Sequence, residues 1–202
     1  LNLTFINHPI FILLKKIIDK KKYGNVKNYN IKWNFVSHDY NRRIKTWKVQ
    51  DKLGGGIRNI FLTHVLSYCE LMFGRNKLYD TKIRKDKFKG INYINHIDTK
   101  IRSKKDICGR ILLNVKKSGN QSHEIKIKFT KCLIIVKNNS KDWSKNFIMK
   151  INSKKVKTNN KSRYNDGRSD QIELLIRNFL KNSNYKNLDL CLNAEKLISK
   201  IK

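Results

Sequence analysis

Apolar residues recur every three or four positions in several stretches of the chain, which is the spacing of an amphipathic helix. This pattern predicts helices at 9–20, 57–73, 171–181 and 188–201. Pro9 suits a first helical turn, and the Gly54-Gly55-Gly56 triplet precedes the second helix. Gly74 stands where a helix C′ residue is expected.

A second pattern, with apolar residues at every other position, predicts β-strands. It occurs at 31–35, 111–115, 125–129, 132–136 and 147–151, and Val156 extends the last strand beyond a turn. The later strands follow one another closely, which favours an antiparallel meander. Residues 77–105 are basic and predict a loop with short extended pieces, and the basic, Asn-rich residues 157–170 predict an extended loop. The expected fold class is α+β, with a small antiparallel sheet flanked by helices and with long basic loops. Residues 1–202 are expected to form a single domain with basic extensions, with sub-parts at 1–75 and 107–202.

Composition adds a strong electrostatic constraint. Lys and Arg number 46 against 15 Asp and Glu, so the net charge is +31 in 202 residues. A chain with this charge repels itself unless a polyanion neutralises it. We therefore expect an anionic macromolecule as the partner, and no small-molecule substrate.

The residue usage also suggests where the protein is made. The chain holds 36 Lys, 25 Asn and 26 Ile but one Ala and one Pro, as expected for an A/T-biased gene. It begins with Leu1, and its first Arg is Arg42, so no Arg-rich leader is visible. These features predict synthesis inside an organelle and a mitochondrial location, with plastid or cytoplasm as alternatives. No apolar run is long enough to predict a membrane span.

The sequence offers few signs of catalysis. The Gly54-Gly55-Gly56 triplet continues neither into a P-loop nor into a G-x-G-x-x-G fingerprint, so it predicts a helix-entry loop or a backbone contact to phosphate. The scattered Asp residues lack nuclease spacing, and four separated cysteines disfavour a zinc site. His64 lies on the apolar face of the second helix, where a core or groove role is favoured over that of a catalytic base. No catalytic residue, metal or cofactor is therefore expected.

The predicted binding residues are basic side chains that could neutralise phosphates. They are Lys22, Lys27, Lys32, Arg42, Arg43, Lys45, Lys48, Lys82, Arg84, Lys85, Arg102, Lys104, Lys105, Lys154, Lys155, Lys157, Lys161, Arg163 and Arg168. Aromatic residues interleave with bases at 21–50, and Tyr23, Tyr29 and Tyr40 are candidates for stacking on unpaired RNA bases. The alternative is that the large rings of this segment, including Trp33, Phe35 and Trp47, belong to the core.

With basic charge spread over its whole length, the chain resembles organelle-encoded ribosomal proteins of A/T-rich mitochondrial genomes. The resemblance implies rRNA and neighbouring ribosomal proteins as partners, a scaffolding role in translation, and no enzymatic activity. Two alternatives remain: an organellar RNA-processing protein of the maturase or metal-dependent nuclease type, and a basic DNA-binding protein.

Overall fold

The computed structural model describes residues 4–116, 118–140, 142, 146–157, 169, 172–173, 176–177 and 186–201. Its helices are α1 (Pro9–Asp19), α2 (His38–Asn41), α3 (Thr63–Phe73) and α4 (Lys186–Ile198), with a π-helical turn at Ile57–Leu62 directly before α3. Short 3-10 turns lie at Thr4–Asn7, Trp47–Val49 and Asp51–Leu53. The strands are β1 (Val26–Val36), β2 (Asn76–Phe88), β3 (Ile91–Ser103), β4 (Cys108–Lys116), β5 (Ser122–Phe129), β6 (Leu133–Asn138), β7 (Ile148–Ile151) and β8 (Lys154–Val156).

All eight strands form one sheet in the order β2-β3-β4-β1-β5-β6-β7-β8. Neighbouring strands pair antiparallel except β1 and β4, which are parallel. The expected α+β class is therefore confirmed, but the expectation of a small, purely antiparallel sheet is wrong. Because β1 lies between β4 and β5, the predicted sub-parts 1–75 and 107–202 share one sheet.

The helices cover one face of this sheet. On β1, the side chains of Tyr29, Ile31, Trp33 and Phe35 are buried in the same core cluster as residues of α1, α3 and α4. The intervening Asn30 and Lys32 are exposed on the opposite face. We call this opposite surface the open face of the sheet.

Most predicted elements form close to their expected positions. His8 caps α1, since its Nδ1 accepts the Ile10 amide hydrogen at 3.2 Å, and Pro9 begins the helix. Gly74 ends α3 with a φ of 84°, a backbone conformation that favours glycine. The last helix is α4, whereas the predicted 157–170 loop and 171–181 helix lie almost wholly outside the described residues.

The prediction of a loop at 77–105 is wrong. This segment belongs to two strands of 13 residues each, which pair as a long hairpin around Lys89 and Gly90. β3 alternates buried Ile97, Thr99 and Ile101 with charged residues on the open face. The many lysines hide that alternation in the sequence, and pairing with β4 holds the hairpin in place. Within the described part of the chain, no helix is both long and apolar enough to cross a bilayer.

Candidate active site

The glycine triplet makes a tight entry into α3. Gly54 and Gly56 have φ values of 80° and 79°. A Cβ on Gly55 would collide with the backbone of Trp47 and Lys48, and one on Gly56 would collide with the carboxylate of Asp51. The loop is thus packed against its own chain, which requires glycine at these positions. The π-helical turn that follows is a rare conformation that is often found at functional sites.

Two polar residues hold this loop to the sheet. The Asn59 side-chain amide donates to the carbonyl oxygens of Gly55 at 2.8 Å and Asp51 at 3.0 Å. The Asp51 carboxylate accepts the amide hydrogen of Ile94 on β3 at 3.2 Å. Burial raises the pKa of Asp51, although the Ile94 amide and the Arg58 and Lys85 charges oppose that shift. The start of α3 is therefore fixed relative to the sheet.

His64 is placed by this rigid entry in the first turn of α3. Its side chain is half-buried, its Nδ1 is sealed from solvent, and its ring meets Phe5 edge-on with centroids 5.6 Å apart. Burial lowers the pKa of His64 to about 4. The imidazole is consequently neutral at physiological pH, which leaves it able to accept a proton.

Two other histidines approach His64 from distant parts of the sequence. His123 on β5 stacks on Trp33 at 4.4 Å, and its Nε2 lies 3.0 Å from the Tyr68 hydroxyl. The pKa of His123 falls to about 3, mainly through burial and further through the nearby His64 and His8. Burial also lowers the pKa of His8 to about 4.

The walls around these histidines are aromatic. Phe5 has ring contacts with His64 and His123, and Phe147 has ring contacts with His8 and His123. No group of His, Cys, Asp and Glu among the described residues could hold a metal ion. A partly exposed, neutral imidazole such as that of His64 is able to exchange a proton with a group beside it.

The predicted RNA-binding residues do not gather at this site. Lys22, Lys27, Arg42, Arg43, Lys45 and Lys48 are exposed along the first third of the chain, Lys105 in the turn after β3, and Lys157 after β8. The strand registers place Lys32, Lys82, Arg84, Arg102 and Lys155 on the open face. Exposed Lys85, Lys104 and Lys154 lie on or beside these strands, and Lys161, Arg163 and Arg168 lie outside the described residues.

Two of the three proposed base-stacking rings are excluded by burial. Tyr29 stacks on Phe73 at 4.1 Å inside the core, and Tyr40 stacks on Tyr93 at 4.2 Å. Tyr23 is half-buried and meets Phe129 edge-on. Trp33 and Phe35 are core residues, whereas Trp47 is exposed.

No family model and no curated protein matches the sequence. Solved structures do share the fold. Levoglucosan dehydrogenase superimposes with a TM-score of 0.75 at 12% identity, over 98% of this chain and 62% of that protein. An oxidoreductase from Thermotoga maritima gives 0.70 at 14% identity, with 98% and 59% covered. Aldose-aldose oxidoreductase from Caulobacter crescentus gives 0.69 at 12% identity, with 98% and 61% covered.

Two of these structures are named as oxidoreductases and one as a dehydrogenase, and the chain spans about three fifths of their length. The prediction of a ribosomal protein is therefore wrong, together with its rRNA and ribosomal-protein partners, its RNA-binding role and its lack of catalysis. The RNA-processing and DNA-binding alternatives fail on the same fold. The prediction of a ribosomal protein rested on the positive charge. Most lysines of 77–105, which were expected to lie in a basic loop, lie on the strands β2 and β3.

Sequence reasoning also undervalued His64. The available signal was a glycine triplet followed, eight residues after its last glycine, by a histidine in the same helical segment. The pattern alone did not reveal that His8 and His123 fold beside it.

Proposed function

We propose that this chain forms the substrate-binding part of an oxidoreductase that interconverts an alcohol and a carbonyl. In this proposal His64 exchanges a proton with the substrate oxygen. The observation that carries the proposal is a neutral, partly exposed imidazole at a rigid helix entry, on a fold shared with dehydrogenases.

The proton step follows from the state of His64. When an alcohol is oxidised, its hydroxyl must lose a proton as the carbonyl forms. Nδ1 of His64 is sealed from solvent. In this proposal the neutral ring accepts the proton at Nε2 and returns it in the reverse reaction. The Phe5 ring meets the imidazole edge-on.

The hydride of the same reaction needs a separate acceptor. Levoglucosan dehydrogenase has been solved with NADH, and a 3-ketoreductase from Actinomadura kijaniata with NADP. The glycine triplet of this chain does not fit such a dinucleotide. It is filled by its own backbone and by Asp51, so it offers no cradle for a pyrophosphate. The role proposed for His64 involves no step on the cofactor.

The substrate class is proposed from the same neighbours. Their names refer to levoglucosan and aldoses, which supports a small polyhydroxylated substrate. The arrangement of strands supports the proposal that residues 1–202 fold as one unit, because β1 completes the sheet formed by later strands. The mitochondrial location stays a prediction from composition, to be checked by organelle fractionation.

The test uses the full natural protein that contains this chain. Oxidation of NADH and NADPH is followed with a panel of aldoses and keto sugars, and sugar binding is followed independently by saturation-transfer NMR. We expect turnover with at least one sugar, and a loss of about 100-fold or more in kcat/KM for His64→Gln, which is the usual scale for general acid–base catalysis. His38→Gln changes an exposed histidine and should leave the rate unchanged.

Retention of full activity by folded His64→Gln would refute the role of His64. Absence of both turnover and sugar binding in the folded natural protein would refute the proposed function.

A further inference from the structure

A pocket of about 470 Å³ lies at the edge of the sheet, where β2 begins and where β3 ends before the turn to β4. It is lined by Lys77, Tyr79, Arg102, Ser103 and Lys104. Its volume falls within the usual range for small-molecule sites. None of these residues takes part in the His64 site, so ligand binding at this pocket is independent of the proposed oxidoreductase function.

The charge of this edge pocket is unbalanced. Lys77 and Arg102 lie directly opposite each other in the β2–β3 register, an arrangement that destabilises a sheet. Arg102 also contacts Asp106 at 3.6 Å, but both side chains are largely exposed, so this ion pair contributes little. Among the described residues, neither Lys77 nor Lys104 has an ion-pair partner, and no carboxylate lines the pocket. An anion would relieve this repulsion.

An aromatic ring lies beside the cations. Tyr79 falls at a register shift between Leu78 and Asp80, and 54% of its surface is exposed. The Arg102 guanidinium carbon lies 5.7 Å from the centre of the Tyr79 ring. An exposed tyrosine next to a planar guanidinium offers a stacking surface to a flat group of a ligand.

The turn beneath the pocket is well ordered. The Ser103 amide donates to the Ile107 carbonyl at 3.0 Å, and the Ser103 hydroxyl oxygen accepts the Ile107 amide hydrogen at 3.2 Å. The Lys104 amide donates to the Arg75 carbonyl at 2.8 Å. These bonds hold the backbone of Ser103 and Lys104 in place before any ligand arrives, which lowers the entropic cost of binding.

We propose that this edge pocket binds a small phosphorylated molecule that also carries a flat ring. The Arg102 guanidinium provides a fork that matches two phosphate oxygens, while Lys77 and Lys104 add point charges. The ring of the ligand stacks on Tyr79.

Calorimetric titration tests this assignment with three probes: inorganic phosphate, ribose 5-phosphate and AMP, each at about 0.15 M salt, where diffuse surface electrostatics are screened. We expect AMP to bind at least tenfold more tightly than the two ringless probes. Arg102→Gln should weaken all three. Tyr79→Ala should remove the preference for AMP without affecting inorganic phosphate, and Tyr79→Phe should retain that preference.

Lys126→Gln is the matched control, because it removes one positive charge from the open face away from the edge pocket. His64→Gln is the second control, and neither change should alter AMP binding. Equal weakening by Lys126→Gln and Arg102→Gln would show diffuse charge attraction and overturn the proposal. Binding of a single-stranded oligonucleotide but not of AMP, or equal affinity for AMP and phosphate, would also overturn it.

Discussion

The buried histidines His8 and His123 should make the free energy of unfolding sensitive to mild acid. Their side chains are almost completely enclosed, and burial lowers their pKa values to about 4 and about 3. In the unfolded chain each imidazole titrates near its ordinary pKa of about 6.5. Between those values the unfolded state binds more protons than the folded state, so stability falls as the pH falls.

The size of the effect follows from these pKa values. Lowering the pH from 7 to 5 removes about 2 kcal/mol for each of the two histidines, or about 4 kcal/mol together. That is a large part of the roughly 5–15 kcal/mol by which domains are stable. His64 is left out of this sum because its side chain is less completely enclosed than those of His8 and His123.

Urea unfolding at pH 7, 6 and 5, followed by tryptophan fluorescence, measures this loss. His123→Gln removes one titrating group and should reduce the loss by about half. Asp98 does not contribute in this window, because the Arg110 side chain lowers its pKa. Burial raises the pKa values of Asp51 and Glu70, which opposes the effect, but the comparison with His123→Gln cancels their contribution.

A second measurement does not depend on the variant folding. Imidazole proton shifts in the native protein should show His8 and His123 still neutral at pH 5. Equal stability at pH 7 and pH 5, or an unchanged pH slope in His123→Gln, would refute the reasoning. Native titration of both rings near pH 6.5 would refute it independently.

Three further predictions concern the site and the core. Gly55→Ala should cost at least about 2 kcal/mol of unfolding free energy, because its Cβ would collide with backbone atoms. Gly54→Ala should cost about 1 kcal/mol, because its Cβ meets no atom but the residue has a positive φ. Chemical denaturation measures both costs, and equal values would contradict the collision at Gly55. Asn59→Ala should cost about 1–3 kcal/mol because two carbonyl oxygens lose their donor, and a wild-type midpoint in urea would contradict this. Cys69 should resist alkylation in the native state, because burial raises the pKa of its thiol. Iodoacetamide treatment followed by peptide mass mapping measures this, and modification of the native protein as fast as in urea would contradict the burial of Cys69.

Local patterns in the sequence were enough to locate many of the elements. Pro9 and the apolar spacing after it predicted α1, and the alternation of Ile125, Ile127 and Phe129 predicted β5, because these signals act within a few residues. The same approach failed for β2 and β3. Their lysine-rich open face obscured the alternation. The hairpin is also stabilised by the pairing of β3 with β4, and residues that are close in sequence carry no information about that pairing.

The candidate site depended still more on tertiary structure. His8, His64 and His123 are separated by more than fifty residues from one another, and no spacing rule relates them. They meet because α1 and α3 pack on the strand that carries His123. Their lowered pKa values are a consequence of that shared burial and could not be assigned before the fold was known.

The sequence by itself determined the +31 charge, the glycine entry to α3 and most of the strand positions, because each is a property of composition or of adjacent residues. Only the tertiary structure decided that β1 is inserted between β4 and β5, that charge lies on an open sheet face, and that three histidines share one aromatic cluster. Non-local strand pairing sets these features. A count of lysines carries no information about which strands pair, so the likeness to known structures emerged from the fold and not from the charge.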